Sequence, residues 1–219
     1  FGGKFDEIIL GGAAFNPDVE EFFKKMNFPY TVGYGMTECA PIIAYAHWDK
    51  AKLYSCGKAA PWMKIRIDSD DPQNVPGEVQ VYGPNVMLGY YREPEKTAKV
   101  LKDGWLCTGD IAIINDAGFL KIKGRNDDLI IKSGMNVYPA EIEGVIKQDP
   151  RVKEVLVYGF HNSFGTQIGM KLVGDFSSTK EVKQFCMKVL PSFQVPSVIE
   201  LVDELPKNGS GKIIRRKTL

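Results

Sequence analysis

Residues 7–34 constrain the fold more than any other stretch of this chain. Glu7-Ile8-Ile9-Leu10 is a short apolar run closed by Gly11-Gly12. Asn16 followed by Pro17 is a helix N-cap with proline at the first helical position. Val19, Phe22, Phe23 and Met26 then recur at helical spacing. Tyr30-Thr31-Val32-Gly33-Tyr34 reads as a second strand. Strand, helix, strand is one βαβ unit, which favours a parallel sheet.

The pattern changes after about Ser55. Lys64-Ile65-Arg66-Ile67 and Glu78-Val79-Gln80-Val81-Tyr82 are short β runs separated by the turn signal Val75-Pro76-Gly77. Trp105 to Ile114, the turn Asn115-Asp116-Ala117-Gly118 and Phe119 to Ile122 read as a β-hairpin. A small antiparallel barrel or sheet is expected here. From Asp127 the pattern is mixed again. Leu129-Ile130-Ile131, Val152 to Val157 and Ser197 to Val202 are strands; Pro139 to Gln148 and Lys180 to Leu190 are helices. The expected fold class is α/β and α+β: a partial βαβ sheet unit over 1–54, a small β-barrel-like subdomain over 55–126, and a compact α+β domain over 127–219.

Charge excludes some function classes. The 28 Lys and Arg nearly balance the 27 Asp and Glu, so no global field favours nucleic acid or an anionic membrane. The one basic cluster, Lys212 to Lys217, reads equally as a solvated tail or as something functional. Cys39, Cys56, Cys107 and Cys186 form no CxxC pair, which points to a reducing, cytoplasmic setting and away from disulfides or zinc. No apolar run approaches the roughly 18–20 residues of a membrane span. His47 and His161 read as structural or surface residues, and Asp68-Ser69-Asp70-Asp71 as a solvated turn. The chain begins at Phe1, so a piece of a longer protein is expected.

Five segments carry more glycine and polar side chains than turns require. Gly11-Gly12-Ala13-Ala14 ends the first strand, where small residues let a flat ligand reach the backbone; taken alone, an ordinary tight turn is the preferred reading. Gly33-Tyr34-Gly35-Met36-Thr37-Glu38 offers an aromatic ring, a hydroxyl and a carboxylate suited to Mg²⁺, with Tyr34 as readily a core residue. Asp110, in Thr108-Gly109-Asp110, suits a ribose diol or a plain β-turn. Gly124 to Gly134 holds Arg125, Asp127 and Asp128, where a structural turn is preferred to an acid/base pair. Leu205 to Lys212 fails as a P-loop, because the upstream glycine is missing and Ile213 follows the lysine. A lysine on a glycine-flanked loop can still bring positive charge to a transferring phosphoryl group.

Taken in order, these segments resemble the adenylate-forming superfamily, which includes acyl-CoA synthetases, peptide-synthetase adenylation domains and luciferases. The matching stretches are Gly12-Ala13, Tyr34 to Glu38, Gly77-Glu78-Val79, Thr108-Gly109-Asp110, Gly124-Arg125 through Glu143, and Pro206-Lys207 through Gly211-Lys212. The resemblance implies that Tyr34 stacks on adenine opposite Gly11 and Gly12. It implies that Thr37 bonds the α-phosphate, Glu38 holds Mg²⁺, and Asp110 binds the ribose with Arg125 nearby. It makes Asp127 a hinge between a large and a small mobile domain, and Gly134 the place where the pantetheine arm of coenzyme A passes. Lys212 bridges carboxylate and α-phosphate during adenylation. The implied ligands are ATP or AMP, Mg²⁺, coenzyme A and a small carboxylic acid.

The family's Ser/Thr/Gly-rich phosphate loop is not in this sequence. It is expected before Phe1, and the 219 residues alone are expected not to turn over. Gly35 leaves room beside the expected acyl site, and Gly134 through Glu143 looks more like fatty acyl-CoA synthetases than peptide-synthetase domains. A medium- or long-chain fatty acid is therefore the expected substrate. The alternatives are loading onto a carrier protein and a non-catalytic binding module of the same fold. Cys39 reads as a small core residue in preference to a wall of the acyl pocket.

Overall fold

The computed structural model describes residues 2–12, 15–209 and 213–215. The chain divides into two compact units, residues 1–123 and 124–219.

In the first unit, β1 (Ile8–Leu10), α1 (Pro17–Lys25) and β2 (Tyr30–Val32) form the expected βαβ piece, with β1 and β2 parallel. Asn16 caps α1 as its sequence predicts, its Oδ1 accepting from the amides of Asp18 (2.8 Å) and Val19 (3.3 Å). The apolar stripe of α1 does not face a core: Phe22 is 57% and Met26 65% exposed. Phe23 instead joins an aromatic group with Phe15, Phe28 and Tyr30.

The second strand is not continuous as read. After β2 the chain leaves that sheet at Gly33 and enters another as β3 (Tyr34–Gly35). A 3₁₀ turn (Thr37–Cys39) leads to β4 (Ile42–Tyr45), which is antiparallel to both β3 and β5 (Lys58–Ala59). Next come β6 (Lys64–Asp68), β7 (Gly77–Tyr82), α2 (Pro94–Val100), β8 (Leu101–Lys102), β9 (Trp105–Ile114) and β10 (Leu120–Arg125). They form an antiparallel sheet in the order β10-β9-β7-β6, with β8 on β9. Alternate residues point inward, so Val79, Val81, Leu106 and Leu120 join Ile43, Ala44 and Cys39 in one core.

The second unit contains β11 (Ile130–Lys132), β12 (Met135–Val137), α3 (Pro139–Ile146), β13 (Val152–Asn162), β14 (Gly165–Gly174), α4 (Thr179–Val189) and β15 (Val198–Leu201). Its main sheet has the order β13-β14-β15, antiparallel and then parallel. Ile142 and Ile146 of α3 and Val182 and Cys186 of α4 bury against Val155, Val157, Met170 and Leu172. Strand β14 escaped the sequence reading because glycine and polar residues interrupt its alternation. A Cβ at Gly169 would meet the Tyr158 ring at 2.4 Å, so the glycine there seats a cross-strand aromatic.

Candidate functional site

Gly11, Gly12 and Tyr34 come together at the carboxyl ends of paired parallel strands. The Gly33 amide donates to the Leu10 carbonyl at 2.8 Å, which sets the start of the Tyr34 segment against the end of β1. A Cβ at Gly11 would stand 3.4 Å from the Gly33 carbonyl, and Gly12 has φ +85° with open space around it. Only Gly12 is therefore demanded by its backbone conformation.

Asp110 reaches Tyr34 through a bulge. Glu78 faces Ile111 and Gln80 faces Cys107, so Thr108, Gly109 and Asp110 all stand opposite Val79. Gly109 takes φ +74°, and its amide donates to Glu78 Oε1 at 3.0 Å. The buried Thr108 hydroxyl donates to the Val79 carbonyl at 2.9 Å and accepts from the Asp110 amide at 3.1 Å. These bonds hold the extra residues, and the bulge re-aims Asp110. Its Oδ2 accepts from the Tyr34 hydroxyl at 2.7 Å, joining positions 76 residues apart. Tyr34 is only 9% exposed and packs in the core. Burial, and then the neighbouring carboxylate, push its phenol above the usual range, so it stays a donor.

Thr37 and Glu38 lie on the 3₁₀ turn just beyond, with Thr37 exposed and Glu38 half-buried. A loop that the sequence reading passed over braces them. The Met87 amide donates to the Glu38 carbonyl at 2.8 Å, and the Tyr90 hydroxyl donates to Glu38 Oε1 at 2.9 Å. Asn85 Nδ2 donates to the carbonyls of Cys39 and, at 3.0 Å, Ile42. The available signal was a run dense in turn and aromatic residues, Gly83-Pro84-Asn85 to Gly89-Tyr90-Tyr91, between a strand and a helix. Among the described residues no group of three His, Cys, Asp or Glu gathers to cage a metal. A single braced carboxylate fits Mg²⁺, which takes one or two carboxylates alongside substrate phosphates and water.

One neighbouring reading changes and another holds. A Cβ at Gly35 would lie 2.1 Å from the Pro41 carbonyl, so the close β3–β4 approach requires this glycine. It therefore carries no information about acyl chain length. Cys39 is fully buried in the core, and burial lifts its thiol to about 11.

In the second unit, Arg125 ends β10 and is exposed. Asp127 and Asp128 form a 3₁₀ turn (Asn126–Asp128). Ser133 and Gly134 tip the β11–β12 hairpin at φ +51° and +78°, the two positive values of a type I′ turn. Lys212 lies outside the described residues, as do Ala13, Ala14, Ser210, Gly211 and residues 216–219. The flanks of the Lys212 segment are fixed. Lys207 bridges to Ile213, and the Ile214 amide donates to the Pro206 carbonyl at 2.8 Å. Arg215 forms a two-pronged pair with the buried Glu143, 2.7 Å on each arm, and approaches Asp128 at 3.4 Å. This member of the basic cluster is not a solvated tail residue.

The family model described as AMP-binding enzyme matches residues 2–91, and that described as AMP-binding enzyme C-terminal domain matches residues 141–212. A long-chain-fatty-acid–CoA ligase of Escherichia coli O6:H1 is 41% identical over 94% of this chain and 38% of its own length. The o-succinylbenzoate CoA synthetase of Bacillus subtilis, solved with its acyl-adenylate intermediate, superposes with a TM-score of 0.90 at 33% identity, over 96% of this chain and 45% of its own. The same synthetase with ATP and magnesium gives 0.88 at 32% identity, over 98% of this chain and 48% of its own. The chain thus spans less than half the length of these relatives.

Proposed function

Because the chain belongs to the AMP-binding enzyme family, we propose that it forms the carboxyl-terminal portion of an ATP-dependent acyl-CoA synthetase. Such an acid–thiol ligase activates a carboxylic acid as acyl-AMP and passes the acyl group to coenzyme A. The observation that supports this best is the run of contacts from Gly11 at the β1 edge through the Tyr34 segment to the bulged Asp110, with the braced Glu38 four residues beyond Tyr34.

In this reading the substrate carboxylate attacks the α-phosphorus of ATP and pyrophosphate leaves. Two anions must approach, so positive charge has to offset their repulsion. Lys212 provides it between carboxylate and α-phosphate, the Thr37 hydroxyl donates to the α-phosphate, and Asp110 accepts from the ribose. Glu38 holds Mg²⁺, which neutralises phosphate charge when bound. The coenzyme A thiol then attacks the acyl carbonyl and AMP departs. Asp127 is the proposed pivot that withdraws Lys212 between the two steps, and Gly134 the proposed passage of the pantetheine arm. The cytoplasm is the proposed setting; the four unpaired cysteines accord with it.

The acid we take to be a medium- or long-chain fatty acid, on the strength of the identity to the E. coli ligase. The likeness to the o-succinylbenzoate synthetase favours an aryl acid as the second reading. Acid-dependent exchange between pyrophosphate and ATP by the full-length protein tests both, using a panel of fatty acids of graded length and aryl acids. Lys212→Ala is expected to lower exchange at least about a hundredfold while sparing thioester formation from supplied acyl-AMP. Exchange with no carboxylic acid, or an unaffected Lys212→Ala variant, overturns the reading.

A further inference from the structure

We propose that Arg215 is a positioning residue for Lys212: its guanidinium ties the loop that carries the lysine to a buried carboxylate, so that the charge arrives at one place during adenylation. This rests on the reading of Lys212 as the adenylating lysine.

A lysine on this loop needs a constraint from elsewhere. Gly209 and Gly211 precede it closely, and glycine leaves the backbone more freedom than any other residue. The lysine stem is itself flexible. A charge that must sit within about 0.5 Å of its productive place has to be located by the legs of the loop. Both legs are tied to β13. On the entering leg Leu205 is buried, and Lys207 Nζ pairs with Glu154. The Lys207–Ile213 bridge and the 2.8 Å bond from the Ile214 amide to the Pro206 carbonyl close the neck. On the leaving leg Arg215, three positions after Lys212, donates through Nη1 and Nη2 to the two oxygens of Glu143 at 2.7 Å each. Its Nη1 also donates to the Val157 carbonyl at 3.3 Å.

The acceptor is rigid. Glu143 stands on α3 beside the fully buried Ile142, and its Oε1 accepts from the Val157 amide at 2.8 Å. A planar fork on a fixed carboxylate sets direction as well as distance. The same guanidinium lies 3.4 Å from Asp128, in the Asn126–Asp128 turn that contains the proposed pivot Asp127. Stability alone does not call for charges here, because well-packed apolar residues replace a buried pair at little cost. What apolar residues do not supply is a bonded, directional anchor for the loop.

Stability and positioning predict different outcomes once no charge is left stranded. The full-length protein is compared with Arg215→Lys, Lys212→Ala and the double variant Arg215→Met with Glu143→Gln. Each is assayed in pyrophosphate exchange and in thioester formation from supplied acyl-AMP and coenzyme A. The double variant is expected to lower kcat for exchange about ten- to a hundredfold, the scale of a misplacement near 1 Å. Its KM for ATP and its thioester formation are expected to stay within about twofold. Arg215→Lys keeps the charge but loses the fork, so its exchange rate should fall between. General loosening of the second unit would lower both half-reactions together. A double variant that keeps full exchange, or loses both half-reactions equally, overturns the proposal. If Lys212→Ala also keeps exchange, the reading of Lys212 falls too. If only Lys212→Ala loses it, that reading stands and the role of Arg215 is refuted.

Discussion

Replacing Arg215 by alanine should cost the second unit about 3 kcal/mol. The guanidinium contacts both oxygens of Glu143 at 2.7 Å, and Glu143 is 6% exposed. Removing it leaves that carboxylate with the Val157 amide, 2.8 Å from Oε1, as its bonded neighbour. Breaking a buried pair costs about 3–5 kcal/mol because the remaining charge is stranded. The Arg215 side chain is 29% exposed, which places the value at the lower end, and Asp128 at 3.4 Å adds little. Hydrogen exchange of the β13–β14 amides in the intact protein reads this directly. About 3 kcal/mol corresponds to roughly a 150-fold loss of protection. The double variant Arg215→Met with Glu143→Gln removes both charges and keeps an acceptor for Val157, so it should recover most of the loss. A change under about threefold in Arg215→Ala, or no recovery in the double variant, refutes the argument.

Three further outcomes follow from the geometry. Gly109→Val forces a β-branched residue into φ +74°; about 1–3 kcal/mol of strain and a raised KM for ATP are expected, and unchanged ATP kinetics count against the bulge as the device that aims Asp110. Asn85→Ala removes the clamp on the Cys39 and Ile42 carbonyls. It should destabilise the first unit by about 1–3 kcal/mol in urea titration, and raise the Mg²⁺ concentration needed for half-maximal exchange. Burial raises the thiols of Cys39, Cys56 and Cys186 from 9.0 to about 11. The folded state therefore holds protons that the unfolded state gives up above pH 9, so this stability is complete below pH 9 and is lost as the pH rises toward 11. Urea midpoints that do not fall across that window contradict the burial.

The local elements were legible where local chemistry decides them. Asn16-Pro17 set the start of α1, Asn115 to Gly118 set the β9–β10 turn, and alternation set β6 and β7. Recognition of the adenylate-forming pattern rested on residue order, which a sequence carries in full. Other features depend on partners distant in the chain. The stretch Tyr30–Tyr34 has uniform β character, yet it belongs to two sheets, because β1 pairs with one half and β4 with the other. Gly35 looked like space for a substrate until the Pro41 carbonyl occupied it. Arg215 looked like part of a solvated basic run until Glu143, 72 residues away, bonded it. Sequence alone determined which residues have the chemistry for a nucleotide and a phosphoryl group, since that depends on side-chain type. Only the tertiary structure decided that Tyr34 spends its hydroxyl on Asp110 and its ring on the core, since burial and hydrogen-bond partners depend on what the rest of the chain packs around them.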